Sequence, residues 1–503
     1  MKSNNKRIAR NTIMLYIRML LSMFVGLFTS RVVLRVLGVE DYGIYGIVGS
    51  VVSMMGFMTA SMSGSTSRFI SFELGRGSEK KLKETFSSAL IIHVCIALIV
   101  VLLGETIGLW FLCNKLVIPI ERMSAAHWVY QMSILSAVVG ITQVPYSACI
   151  ISHEKMDIYA YFELLHVFLK LLIVYLLVIC PFDKLILYSI FVVSVSIIMR
   201  IFYRIYCIRH YKEANFNFIW NKYLIRRMLS FTSQTIFAHF SFSIRQQGIN
   251  FVLNIIFGVI VNAASGIATT INGIISQFSH NILVAFNPQI IKSYAKGNHD
   301  EMNRLLVNAS KYSLLLLALF VVPIEFEIHQ VLKLWLGIVP EYTVVFARLS
   351  LLSLMTAFSK PLYTGLMATG QIRSMSYTQG SLYILTPFIV YFLCSLINKP
   401  EVAYFMVLLI QLSVAIITMI FLKNKFPEFN IRQYVSVLFI DVVLPVLLSI
   451  VSLYAIKCIL FETMPRLVIS IFISSFIILL YTYIRMDKVT KSLIHNKIKT
   501  IIS

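Results

Sequence analysis

Acidic residues are scarce in this chain. Asp and Glu number 22 against 44 Lys and Arg, and charged residues of both signs make up only 13% of 503 residues. Soluble domains carry about 25%, so a large solvated surface is excluded. Long polar segments are lacking too. The largest loop between apolar stretches spans about 208–228, which leaves no room for a soluble domain. That disfavours a glycosyltransferase with a catalytic domain or a transporter with a fused ATPase, and no G-x-x-x-x-G-K-[ST] phosphate loop occurs. Nor is there a nucleophile elbow, an H-E-x-x-H motif or a pair of catalytic carboxylates within reach of one another. The expectation is therefore a chain that is not an enzyme and needs no cofactor. The seven cysteines, Cys95, Cys113, Cys149, Cys180, Cys207, Cys394 and Cys458, are scattered without a C-x-x-C pair. That spacing indicates neither a disulfide framework nor a metal site, and they read as small buried apolar side chains.

Apolar sequence fills the space. Hydrophobic residues make up 58% of the chain and recur in long runs from end to end. Runs of about twenty residues are the signature of a polytopic α-helical membrane protein; the ten-residue alternation of a membrane β-barrel is absent. Fourteen spans are expected, at about 12–37, 42–64, 86–108, 124–149, 161–180, 185–207, 229–256, 260–285, 306–329, 341–368, 378–398, 401–422, 434–459 and 466–485. The basic start MKSNNKRIAR precedes an apolar stretch too long for a signal peptide, with no A-x-A-like site after it; it reads as an uncleaved first span.

The formal net charge of +22 would suggest nucleic acid in a soluble chain. Here 30 of the 44 Lys and Arg fall in alternate loops, at the termini and at the adjoining span edges. Membrane topology explains this, no nucleic-acid partner is expected, and the positive-inside rule places both termini in the cytoplasm.

The two halves resemble each other. Shifted by 220 residues, Gly38 and Val39 fall on Gly258 and Val259, Gly46 and Ile47 on Gly266 and Ile267, Ile70 on Ile290, and Gly77 on Gly297. A shift of 217 sets Ser133, Ser136 and Tyr146 on Ser350, Ser353 and Tyr363. Six spans separate the copies, so both have the same orientation. This predicts a parallel repeat about an axis along the membrane normal, with a substrate site between two six-helix lobes. The expected division is 1–220, 221–430, and 431–503 for two added spans with a tail.

Seven cations fall within spans: Arg18, Arg31, Arg35, Lys170, Arg245, Arg348 and Lys360. Each is costly in lipid and normally faces a protein interior or a wet cavity. Arg245 and Lys170 lie too deep to reach the membrane surface easily. Arg31 and Arg35 share a helix face, about 220° in one case from Arg18 on an ideal helix. The first and seventh spans are repeat equivalents, and each carries a cation. Span seven adds Gln246, Gln247, Asn250 and Asn254. Span eight has Asn262, Ser265, Thr269, Asn272 and Ser276 on one face, which reads as the wall of a wet cavity. The small residues of span two (Gly46, Ser50, Ser53, Ala60, Gly64) read as close helix packing. Glu163, His166 and Lys170 share a face of span five and suit either a structural pair or a substrate and proton-relay role. His93, His239 and His280 read as interhelical hydrogen-bonders, and Asp441 receives no role.

The stretches LGVEDYGIYGIVGSVVSMMGFM, SGSTSRFISFELGRGSEKKLKETFSSAL and VPYSACIISHEKMDIYAYFELLHVFLKL, with fourteen spans and short loops, resemble the multidrug/oligosaccharidyl-lipid/polysaccharide exporter superfamily. Within it they look like the polysaccharide-transporter branch of Wzx-type O-antigen flippases. The resemblance implies transfer of an undecaprenyl-pyrophosphate-linked oligosaccharide across a bacterial inner membrane, for O-antigen or capsular polysaccharide, through a cationic inter-lobe cavity. It also implies a polysaccharide polymerase and a chain-length regulator as partners. Arg18, Arg31 and Arg245 match the kind of residue that faces the cavity in such relatives. Guanidinium suits phosphate oxygens; Lys170, Asn250, Asn262 and Asn272 complete the expected binding set, and Glu163 is the candidate for ion coupling. The alternatives are a lipid II flippase, a drug/cation antiporter, or a membrane polysaccharide polymerase. The antiporter would favour cavity carboxylates, and the polymerase a large periplasmic loop.

Overall fold

A computed structural model describes the backbone of residues 2–485 except 77, 154, 216–220 and 462. Side chains are described from residue 20 onward apart from a few, among them 60, 64 and 231–235. Arg18, Ala60 and Gly64 therefore lie outside the described side chains. All regular elements among the described residues are helical: α1 (Lys2–Ser53), α2 (Gly56–Arg76), α3 (Glu79–Leu103), α4 (Leu109–Asn114), α5 (Met123–Ser152), α6 (Met156–Ile179), α7 (Lys184–His210), α8 (Lys222–Phe257), α9 (Val259–Ala295), α10 (His299–Phe326), α11 (Ile328–Leu336), α12 (Thr343–Leu354), α13 (Ser359–Ala368), α14 (Arg373–Ile397), α15 (Glu401–Lys425), α16 (Ile431–Leu438), α17 (Leu444–Ile459) and α18 (Met464–Arg485). Twelve helices among the described residues are long and apolar enough to cross a membrane. A bilayer leaves backbone groups no partner but the helix itself, and that is why apolar length translates so directly into helix.

Two expected spans take a different form. The second is divided: its first part is the end of α1, a turn follows at Met54 and Met55, and α2 continues to Arg76. The seventh is helical as α8 but is not among the twelve, since Arg245, Gln246, Gln247, Asn250 and Asn254 dilute its apolar content.

Two positions matched by the 220-residue shift share a backbone conformation. Gly38 (φ 82°, ψ 171°) interrupts α1, and Gly258 (φ 82°, ψ −173°) separates α8 from α9. The two positions are 220 residues apart and share a conformation that disfavours a side chain. The segments after them touch. A Cβ on Gly43 would lie 2.1 Å from the Val259 carbonyl oxygen, so only glycine permits this approach.

Packing divides the chain into one unit of 1–266 with 380–403 and another of 267–379 with 404–503. The repeat-based boundaries at 220 and 430 do not follow this division, because α8 lies along α2. In the first unit, Val33, Ile44, Val48, Val51, Leu112, Val129, Tyr130 and Leu185 form a core. The Tyr130 hydroxyl donates to the Gly104 carbonyl (2.7 Å) in the wide turn Gly104–Gly108. One end of the unit is tied by Arg122. Its Nε and Nη2 donate to Asp41 (2.8 and 2.6 Å), and its Nη1 donates to Asp183 (2.7 Å). Asp183 also caps α7 through the Leu185 and Ile186 amides. The hydrogen bond from Arg122 holds its carboxyl below the ordinary aspartate range. His93 binds the Ala89 carbonyl of its own helix (2.8 Å), rather than reaching a neighbouring helix as expected.

The second unit is organised on α10. Lys311 is buried and donates to Asp441 (2.6 Å), whose other oxygen accepts from Arg485 (3.0 Å). Glu327 follows α10 and is 3% exposed. It accepts from Arg466 Nε and Nη2 (2.9 and 2.7 Å) and from Ser470 (3.1 Å). Asp441 thus has two partners, and α17 and α18 are pinned to α10 by buried charge as well as by an apolar cluster that includes Leu315, Leu453 and Ile478.

Candidate functional site

The site of interest in the first unit is built where α2 and α8 run antiparallel. Phe57 meets Phe240 edge-on (5.0 Å), Ser65 donates to the Met228 carbonyl (3.5 Å), and Arg227 lies 5.9 Å from the Phe69 ring. At the end bearing the basic loops, the two helices open a cavity of about 460 Å³. Its walls are Arg68 and Phe72 of α2, Tyr223, Arg226, Arg227 and Ser230 of α8, and Phe69. Three guanidinium groups converge there beside exposed Phe72 and Tyr223. Such a set offers bidentate recognition of phosphate with apolar surface alongside.

Arg245 lies eighteen residues beyond Arg227 on the same helix, about 27 Å at 1.5 Å per residue. Its side chain is 7% exposed. The guanidinium sits 4.6 Å from the Tyr383 ring and 5.3 Å from the Phe242 ring. No carboxylate pairs with it among the described residues, and its Nε is buried without a hydrogen-bond partner. Ring faces offset part of the cost of a desolvated cation, about 2 kcal/mol at best.

A second cavity, about 650 Å³, opens among α1, α2, α3, α5 and α7. Tyr45, Ser53, Thr59, Ser63, Ser133, Ser136 and Ser189 give it a hydroxyl-bearing wall, and Gly49, Gly56 and Gly140 give it room. Gly49 and Ser53 come from the span expected only to pack, so here the cavity wins over close packing. Neither cavity has Asp or Glu in its described wall.

The other expected site residues are dispersed. Asn250, Asn254 and Asn262 form one network. Asn254 donates to Asn262 Oδ1 (3.0 Å), Asn262 to the Asn250 carbonyl (2.9 Å), and Ser265 to Asn250 Oδ1 (2.9 Å). Asn250 also donates to Ser50 (3.3 Å), and Asn254 accepts from the Val117 amide (2.8 Å). These amides join α8, α9, α1 and the loop before α5. In the second unit, Asn272 donates to the Ser350 carbonyl (2.8 Å). Arg31 and Arg35 are exposed on α1, while on α6 Lys170 is exposed and Glu163 half-buried. Arg348 pairs with Glu325 (3.8 Å). The sequence reading passed over Arg68, Arg226 and Arg227 as ordinary loop cations. Two adjacent arginines in the first turns of a helix beside Phe69 and Phe72 were the available signal.

Residues 8–259 match a family described as polysaccharide biosynthesis protein. No curated protein matches the chain in sequence. Among solved structures, the lipid II flippase MurJ in an inward closed conformation is 14% identical, with 94% of this chain and 98% of that one covered at a TM-score of 0.67. An inward-facing multidrug resistance MATE family transporter of the MOP superfamily is 13% identical, with 82% and 95% covered at a TM-score of 0.65. Its outward-facing counterpart is 13% identical, with 83% and 96% covered at 0.55. At these identities the likeness is one of fold.

Proposed function

Because the chain belongs to the polysaccharide biosynthesis protein family, we propose that it is a flippase for a lipid-linked oligosaccharide, of the Wzx-type branch. The three-arginine cavity between α2 and α8 carries this reading. Guanidinium groups bind pyrophosphate oxygens bidentately. The rings beside them suit the start of a polyprenyl tail, and the hydroxyl-lined cavity suits sugar hydroxyls. The tail stays in lipid while the head group crosses. In this reading the substrate is an undecaprenyl-pyrophosphate-linked repeat unit for O-antigen or capsular polysaccharide. The protein sits in a bacterial inner membrane with both termini cytoplasmic, so the arginine cavity opens where the substrate is made. It moves its substrate without chemistry, alongside a polymerase and a chain-length regulator. The described walls carry arginines and no carboxylate, which favours an anionic substrate over a cationic drug.

A deletion strain tests this. Its lipid extract should accumulate one undecaprenyl-pyrophosphate-linked oligosaccharide by mass analysis. Wild-type protein should clear it, and Arg226→Ala/Arg227→Ala protein present at equal level in the membrane should not. The fold likeness to MurJ supports a second reading, lipid II as the head group; accumulation of lipid II instead would establish that one. Accumulation of neither would overturn both.

A further inference from the structure

At the basic end of the first unit three metal-ligating side chains converge, none of them in the described wall of either cavity. Cys149 lies in the last turn of α5, His153 caps that helix, and Glu213 is delivered by the short turn Lys212–Ala214 after α7. Their ligand atoms all lie within 4.8 Å of one another. His153 Nε2 is 2.5 Å from Glu213 Oε1, and Cys149 Sγ donates to the same oxygen at 3.6 Å. The His153 ring is stacked on Tyr211 (4.0 Å, 10°), which fixes the direction of Nε2. Cys149 and Glu213 are buried at 0% and 6% exposure.

A buried carboxylate normally requires a cationic partner. Among the described residues Glu213 has no Lys or Arg partner; its ion-pair partner is a histidine that is cationic only when protonated. A divalent ion would supply the missing charge. We propose that Cys149, His153 and Glu213 bind one Zn²⁺, tying the end of α5 to the turn after α7. Sulfur, nitrogen and oxygen together suit zinc and not calcium or magnesium, which take oxygen ligands. With bonds of about 2.0–2.3 Å, tetrahedral ligand atoms lie about 3.3–3.7 Å apart. The S···O separation of 3.6 Å already fits, and the N···O pair opens by roughly 1 Å to admit the ion. Thiolate and carboxylate neutralise the ion, the thiol proton leaves to solvent, and water takes the fourth position. On the positive-inside topology this end faces a reducing cytoplasm, where Cys149 and its neighbour Cys207 stay thiols.

Full-length protein, purified in detergent and stripped with EDTA, is titrated with Co²⁺ and separately with Zn²⁺. One equivalent of Co²⁺ should bind with thiolate-to-cobalt charge-transfer absorption. Cys149→Ser should abolish that absorption, and His153→Ala should weaken binding by more than about tenfold. The isostere Glu213→Gln, which keeps the hydrogen-bonding shape, should weaken binding too. Zn²⁺ should raise the thermal midpoint of the wild type and leave His153→Ala unchanged. Equal Co²⁺ uptake by wild type and Cys149→Ser would overturn the site, as would a Cys149–Cys207 disulfide in protein isolated without oxidant.

Discussion

Replacement of Arg245 separates transport from stability. Its guanidinium is buried, 7% exposed, with two ring faces and no carboxylate among the described residues. A cation in a span costs about 2.5–3.5 kcal/mol on insertion scales, and ring faces return about 0.5–2 kcal/mol. On balance the side chain is a burden to the resting fold, so Arg245→Met, which keeps the length without the charge, should leave thermal stability unchanged or raised. A phosphate changes the balance. Each hydrogen bond to a charged group contributes about 1.5–3 kcal/mol, so losing one lowers flux roughly 10- to 150-fold at limiting substrate. Arg245→Lys should recover part of it, because a point charge lacks the bidentate fork. The assay is transfer of a lipid-linked oligosaccharide in reconstituted vesicles, with melting in detergent alongside. Wild-type flux in Arg245→Met would refute the reasoning. So would a parallel loss of flux and stability, the pattern of a purely structural arginine.

Glu327→Ala or Arg466→Ala should each cost about 3–5 kcal/mol by stranding a buried charge, whereas Glu327→Leu/Arg466→Met together should be near neutral; lifetimes at fixed temperature in detergent read both. Gly38→Ala and Gly258→Ala should each destabilise by roughly 1–3 kcal/mol, since both hold positive φ with extended ψ, a region left essentially to glycine. Gly46→Ala, with open space around it, should not, and comparative melting checks all three. Acid should loosen the Arg122 tie. Asp183 is depressed in the folded state, so its stabilisation is complete above the unfolded value of about 3.9 and is lost as pH falls through the lower folded value. Asp183→Asn should remove that acid-dependent loss from a pH series of melting curves.

Helices were legible because the bilayer demands long apolar runs. Helix breaks were less so. The expected boundaries 37/42 and 256/260 bracket Gly38 and Gly258, but the turn at Met54 and Met55 falls inside the apolar run 42–64, where hydropathy does not reveal it. Buried charge was hidden for another reason. Lys311 meets Asp441 across 130 residues and Arg466 meets Glu327 across 139, separations no local pattern encodes. The polar stripe of span eight was visible, but its neighbours were not: Asn262 bonds back to α8, while Asn272 holds a carbonyl of α12. Periodicity finds a face without saying what covers it.

The Arg122 tie has a mechanical consequence. Asp41, Arg122 and Asp183 stand at the starts of three rods, and one guanidinium clasps them. Arg68 lies 27 residues beyond Asp41, about 40 Å along helix, so the arginine cavity occupies the end opposite that guanidinium. That far end has ties of its own: Ser71 donates to Ser152 (3.0 Å) between α2 and α5, and His153 meets Glu213 after α7, so α2, α5 and α7 are braced there as well, and α8, which that guanidinium does not hold, forms the other wall of the cavity.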